Sequence, residues 1–314
     1  MAITLASDRI LVIGACGVDV VGRLQGELQP GTSSPARIRT SFGGVARNVA
    51  ENLARLGQPV SLLSVVGKDR LGEEALALTR QAGVDVSAVY ATDKFPTGFY
   101  MGVISENGTR QFAFDDMRIL EELTDTYLIY NEDLFEKAGL VFLDANLPEK
   151  ALKTAFKLSR KYRLPVCADP TSGSLAARLT PYLRQIKLLA LNNIEAGILT
   201  GQHFEASNRE AALEASRLLV NKGIEMVFVT LAEFGLCYAT SETNGHIPAI
   251  RTNVGDPTGA GDALVAAVIY ALMNNIEIDD AARLGISAAT LALRYPGTVY
   301  PDLSLEKLYD ELAV

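Results

Sequence analysis

Short, unbroken apolar runs alternate along most of this chain with segments whose apolar residues recur at helical spacing, and that alternation limits the fold most. Arg9 to Ile13, Val60 to Val65, Leu140 to Asp144, Val166 to Asp169, Leu188 to Leu191 and Met226 to Thr230 read as strands covered on both faces. Helical patterns separate most of them, as at Gly72 to Ala82, Lys150 to Tyr162 and Arg209 to Lys222. The repetition predicts an α/β fold, a doubly wound and mainly parallel sheet with helices on both faces. Ligands of such sheets bind beyond the C-terminal ends of the strands. The 314 residues can bury a large core, and no repeat, low-complexity tract or linker divides them, so a single domain over 1–314 is expected.

Two stretches interrupt the alternation. Residues 18–42 are long, polar and rich in glycine and proline. Thr97 to Phe114 reads as two strands, Gly98 to Ser105 and Thr109 to Phe114, joined by the hairpin signal Glu106-Asn107-Gly108. Together, as insertions at about 18–42 and 96–116, they are expected to form a small antiparallel flap over the strand ends; a plain surface hairpin is the alternative.

Three motifs carry chemistry. The first is Asp256-Pro257-Thr258-Gly259-Ala260-Gly261-Asp262, which opens directly into the apolar stretch Ala263 to Met273. Its glycines let the backbone approach a ligand closely, and amides at a helix start carry unpaired N–H groups and partial positive charge. That combination cradles an anion without Lys or Arg. Asp262, in the first turn, stands where a general base would deprotonate an attacking hydroxyl. A plain turn with a capping Asp has the same sequence, so the motif needs partners.

The second motif is Phe42-Gly43-Gly44 followed by a helix from Val45 to Leu56, with Val45, Val49, Leu53 and Leu56 on one face and Gly57 as the stop. Asn48, in its first turn, can both donate to and accept from a hydroxyl. The third is Leu188 to Leu191 followed by Asn192-x-x-Glu195. A polar residue and a carboxylate at a strand's end suit Mg²⁺ held through water and phosphate oxygens, although the same spacing is an ordinary capping box.

In this order the three motifs resemble the ribokinase-like (PfkB) family of carbohydrate and nucleoside kinases, over nearly the whole chain. The resemblance implies the ribokinase-like fold with its β lid, ATP and Mg²⁺ as cofactors, and a small nucleoside or sugar as partner. Asp262 would be the catalytic base, and the amides of Gly259, Ala260 and Gly261 the anion hole. Asp19, Gly43, Gly44 and Asn48 would bind the acceptor. Asn192, Thr230 and Gly235 would join Gly259 and Gly261 at the nucleotide, and Glu195 would reach Mg²⁺ through water. Potassium activation is common in the family, and Asp256 and Thr258 lie where its loop would offer carbonyls. Family members often pair two lids in a homodimer.

Among family members the chain is most similar to nucleoside kinases that act on pseudouridine, through Gly43 to Asn48, Asp115-Asp116-Met117, Leu143-Asp144-Ala145-Asn146 and Asp169-Pro170-Thr171-Ser172. Leu175 departs from that pattern, which has a lysine there. Ala190 and Leu191 replace the usual lysine and proline, and Ala232 replaces a glycine whose site costs a Cβ ~1–2 kcal/mol if φ is positive. Phosphorylation of pseudouridine at its 5′-hydroxyl is expected; a sugar kinase or a non-catalytic nucleoside-binding relative are the alternatives.

Composition fits a cytoplasmic enzyme. A net charge of −8 argues against a nucleic-acid polymer as partner. Cys16, Cys167 and Cys237 read as buried, reduced thiols without metal-ligand spacing, and His203 and His246 stand alone. Met1 to Asp8 is too short and polar for a signal peptide, and Ala263 to Met273 is too short to span a membrane. Gly14-Ala15-Cys16-Gly17 falls short of a dinucleotide fingerprint, and no P-loop occurs.

Overall fold

The computed structural model describes residues 7–106, 109–255 and 257–313. Thirteen strands are present among them: β1 (Ile10–Ile13), β2 (Gly17–Leu24), β3 (Ala36–Gly43), β4 (Val60–Gly67), β5 (Val89–Thr92), β6 (Gly98–Ile104), β7 (Arg110–Asp116), β8 (Leu140–Asp144), β9 (Val166–Asp169), β10 (Leu188–Asn192), β11 (Met226–Thr230), β12 (Leu236–Thr240) and β13 (Asn244–Ile247). Nine form the main sheet in the order β13-β12-β11-β10-β9-β8-β1-β4-β5. All its pairings are parallel except those of β12 with β11 and β13, which close one edge as an antiparallel hairpin.

The strands expected from apolar runs all form, because each is sandwiched between two helical layers. In β1, Ile10 and Val12 enter one core while Leu11 and Ile13 enter the other, and Leu140 and Phe142 alternate with Val141 and Leu143 in the same way in β8. The first core is completed by the helices Val45–Arg55, Ala260–Met273 and Ile278–Arg294. The second is completed by Glu149–Lys161 and Arg209–Asn221, among others. Ala260–Met273 is buried along nearly its whole length, which explains why its sequence is apolar all round. Among the described residues, no helix is long and apolar enough to cross a membrane. The three cysteines are free and buried.

The two insertions meet in a separate four-stranded sheet, ordered β3-β2-β6-β7. The second insertion is the expected antiparallel hairpin, the first is another that the sequence did not mark, and the seam between them, β2 with β6, is parallel where an antiparallel flap was expected. The reason lies in the connections: β2 follows β1 and β6 follows β5, and both parent strands run the same way in the main sheet. Asn107 and Gly108 of the expected hairpin turn lie outside the described residues. At the base of this lid Gly43, Gly17 and Gly98 stand in one cross-strand row. A Cβ on Gly17 would come within 2.5 Å of the Gly98 carbonyl oxygen. The lid's outer face leaves Ile38, Met101 and Phe114 exposed.

Ala232, in the turn between β11 and β12, has φ +49°, the left-handed conformation in which a Cβ is strained. Ala232→Gly removes ~1–2 kcal/mol of strain and adds ~0.4–1 kcal/mol of unfolded-chain entropy. The variant should therefore be more stable, by about 0.5–1 kcal/mol, as a rise in the urea midpoint at unchanged slope.

Candidate active site

A cavity of about 460 Å³ lies between the lid and the C-terminal ends of the central strands. Asp19, Tyr100, Asp115 and Met117 line it from the lid side. Asp169, Asn192 and Thr230, each the last residue of its strand, line it from below. Gly44, Asn48, Glu195, Gly259, Gly261 and Asp262 line it from three helix starts. Most of the sequence-predicted residues thus converge on one cavity, from Asp19 near one end of the chain to Asp262 near the other.

Asp144 fixes the relation of these pieces. It ends β8, is fully buried, and its Oδ2 accepts hydrogen bonds from the amides of Ala15 (2.8 Å) and Ala46 (3.1 Å), while Oδ1 accepts from Asn146 N (3.0 Å). Burial pushes its pKa up and these amides pull it down. One carboxylate therefore caps the glycine-pair helix and anchors the chain where it leaves β1 for the lid. The glycines around it are required by space. Gly44 has φ +93°, and a Cβ there would lie 2.5 Å from the Ala15 oxygen. Gly43 is outside the cavity wall but directly behind Asp19, whose Oδ2 would be 1.9 Å from an added Cβ. Asp19 itself is 5% exposed.

Asp262 sits in the first turn of Ala260–Met273, nearly buried, and its Oδ2 accepts from Asn48 Nδ2 at 2.8 Å. Burial raises its pKa to about 7; the Asn48 bond and the Arg47 charge lower it, and the Asp144 charge raises it. Arg47, which the sequence did not single out, decides how Asn48 is turned. Its Nη1 donates to Asn48 Oδ1 (3.1 Å) and to the Phe42 oxygen (2.9 Å), its Nε to Thr79 Oγ1 (3.2 Å), and it pairs with Glu51. With the Asn48 oxygen occupied, only its NH₂ can face Asp262. The only local signal for Arg47 is the i,i+4 spacing to Glu51, which is equally the pattern of a solvated helix pair.

The loop expected to cradle an anion is shaped by its glycines. Gly259 is left-handed (φ +83°), and a Cβ there would lie 1.9 Å from the Thr298 oxygen. At Gly261 an added Cβ would meet nothing within 4 Å, so its face is open to the cavity. The amides of Gly259 and Gly261 have no hydrogen-bond partner among the described residues, whereas that of Ala260, which is not in the wall, reaches the Pro257 oxygen at 3.5 Å. Thr258 is in the wall; Asp256 lies outside the described residues.

Asn192 and Glu195 do two things at once. They form a full capping box: Asn192 Oδ1 accepts from the amides of Ile194 (2.9 Å) and Glu195 (3.0 Å), and Glu195 Oε2 accepts from Asn192 N (2.9 Å). Both also face the cavity, where burial lifts the Glu195 pKa and its bonds to Asn192 lower it. Asp169, the register partner of Asp144, is pushed well up by burial and then by the charges of Glu195 and Asp262. Crowded carboxyls of this kind are what a divalent cation relieves, and Asp169 joins Glu195 as a candidate for that role. Thr230 pairs in register with Asn192, and its Oγ1 donates to the Leu191 oxygen at 3.5 Å. Gly235 is outside the wall; its φ of +94° and close approach to the Ile247 oxygen make it a turn residue.

A family model, "pfkB family carbohydrate kinase", matches residues 7–304. The chain belongs to the pfkB family. It is 31% identical over 299 residues to a pseudouridine kinase of Escherichia coli (strain K12), covering 95% of this chain and 94% of that one. It is 32% identical over 300 residues to the uncharacterized sugar kinase YeiI of the same organism, covering 94% and 81%. An Arabidopsis thaliana ribokinase, solved with ribose and ATP, superposes with a TM-score of 0.82 over 98% of this chain and 99% of that one, at 21% identity, and shows the fold. As a pfkB-family kinase the chain is a phosphotransferase with an alcohol group as acceptor.

The raised pKa of Asp262 costs this kinase stability above neutrality. Its folded pKa, about 7, exceeds the ordinary 3.8, so the folded state holds the proton more tightly and loses stability as pH rises between those values. Asp262→Asn cannot ionise. It should gain about 2–3 kcal/mol on the wild type between pH 5 and pH 8, read from denaturant unfolding at the two pH values.

Proposed function

We propose that this pfkB-family kinase transfers the γ-phosphoryl group of ATP to the 5′-hydroxyl of a ribosyl nucleoside, pseudouridine foremost. The observation that carries this reading is the near-buried Asp262 carboxyl, with a pKa of about 7, beside open backbone amides and in one cavity with Asp19. Asp19, supported by Asn48 and Gly44, grips the ribose hydroxyls. Asp262 takes the proton of the 5′-hydroxyl as its oxygen attacks the γ-phosphorus in line. The amides of Gly259 and Gly261 meet the charge that develops on the phosphoryl oxygens. The lid excludes water, the competing acceptor. Asn192 and Thr230 lie at the triphosphate side. Glu195 and Asp169 would hold Mg²⁺ through water, and the ion, when bound, neutralises phosphate charge.

The wall also speaks to the acceptor's charge. Asp19, Asp115, Asp169, Glu195 and Asp262 line it, and no Lys, Arg or His does among the described residues. ATP brings its own cation; an acceptor with a phosphate of its own would face these carboxylates with no cationic side chain in the wall to offset them. The acceptor is therefore a neutral nucleoside or sugar. Phosphorylation of a free sugar is the second reading. It is favoured by Leu175, which places an apolar side chain in the wall where the pseudouridine-kinase pattern has a lysine.

ADP release with pseudouridine, uridine, ribose and fructose side by side tests the two readings, the highest kcat/KM being expected for pseudouridine. Asp262→Asn should lower kcat by ~100-fold or more with a smaller change in KM. Wild-type kcat/KM should fall on the acid side of pH 7, where the base carries its proton. Wild-type turnover in the variant removes Asp262 from the mechanism.

We propose further that two copies pair through the lid. Ile38, Met101 and Phe114 are exposed on one face of a thin sheet, a contact a second lid would cover. Phe114→Lys should shift the protein from dimer to monomer in sedimentation velocity.

A further inference from the structure

Three residues of the lid stand in one cross-strand row facing the cavity: Asp19 on β2, its register partner Tyr100 on β6, and Tyr100's register partner Asp115 on β7. Residues in register across a sheet project from the same face, and neighbouring strands lie ~4.8 Å apart, so the two carboxylates at the ends of the row are separated by roughly 10 Å along the lid. The two ends differ. Asp19 is buried against Gly43, and its bonding is engaged. Asp115 has no hydrogen bond or ion pair with any described residue, although its neighbour Asp116 is paired with Arg118.

We propose that Asp115 is a specificity-determining residue that accepts a hydrogen bond from a ring N–H of the base attached to the acceptor's ribose. The inference rests on the nucleoside reading given above. With the ribose hydroxyls on Asp19 and the 5′-hydroxyl at Asp262, the substituent on the anomeric carbon extends along the row, past Tyr100, toward β7. A single furanose ring is too short to reach both ends; a ring bearing a planar base is long enough. Tyr100 offers the base an aromatic surface midway. A carboxylate only accepts hydrogen bonds, so it selects a base that presents a donor and penalises one that presents a carbonyl or a methylated nitrogen. Pseudouridine, with two ring N–H groups where uridine has one, meets that requirement at either edge of its base.

The test is a ratio measured within each variant, so that partial loss of folded enzyme cancels. For the wild type, Asp115→Asn and Asp115→Ala, kcat/KM is measured for pseudouridine and for 1,3-dimethylpseudouridine, which keeps the carbonyls and loses both donors. The wild type should favour pseudouridine by ~10–100-fold, the range of a charge-assisted hydrogen bond. Asp115→Ala should bring the ratio close to one. Asp115→Asn, which fills the same space with a neutral acceptor, should bring it part of the way. A ratio that Asp115→Asn leaves at the wild-type value would mean that the methyl groups are rejected by crowding, and overturns the assignment. So does a ratio unmoved by Asp115→Ala. If ribose is phosphorylated and neither nucleoside is, the nucleoside reading itself falls, and this inference with it.

Discussion

The fully buried carboxylate of Asp144 organises the functional end of the molecule. It stands at the tip of a central strand and takes three backbone N–H groups from three different segments. Its charge is balanced by amide dipoles and by the start of a helix, not by a cation. The route from β1 into the lid, the glycine-pair helix and the main sheet are thereby held to one another through a single side chain. Asn48, four residues into that helix from Gly44, inherits its position from this anchor, and Asp262 inherits its orientation from Asn48.

From this anchor outward, the site is a field of carboxyls whose charges disfavour one another. Asp169 feels Glu195 and Asp262, and Asp262 feels Asp144. Each is lifted first by burial. Carboxyls lifted in this way hold their protons more tightly than exposed ones do. Gathered in one cavity, carboxyls so perturbed mark a functional site.

Much of this was legible in the sequence. Strands buried on both faces announce themselves as unbroken apolar runs, and Gly259, Gly261 and Asp262 sit in a motif whose backbone demands few residue types can meet. Ala232, which stands where similar chains have glycine, does carry a positive φ. What escaped were features that exist only after the chain has folded. Arg47 matters because Phe42, Thr79 and Asn48 come to surround it, and those contacts have no local signature. Asp144 and Asp169 were visible as letters in strand-ending runs, yet their chemistry depends on distant groups, the amides of Ala15 and Ala46 for the one and Glu195 and Asp262 for the other. Asn192-x-x-Glu195 permitted a cap or a ligand; it folds as a cap, and both residues also face the cavity. The parallel seam of the lid follows from the directions of β1 and β5, which no hairpin signal encodes.

The glycine row at the base of the lid divides the tolerance of the molecule to change. At Gly17 and Gly43 an added methyl group would collide with a neighbouring carbonyl or with Asp19, so those positions cannot drift without prising strands apart. Two residues further along the strands, Tyr100 and Asp115 face the cavity, and Asp115 has no hydrogen bond or ion pair with any described residue to hold it. A scaffold with an incompressible root and a permissive rim can exchange one guest for another by altering the rim alone, and the catalytic floor beneath need never be rebuilt.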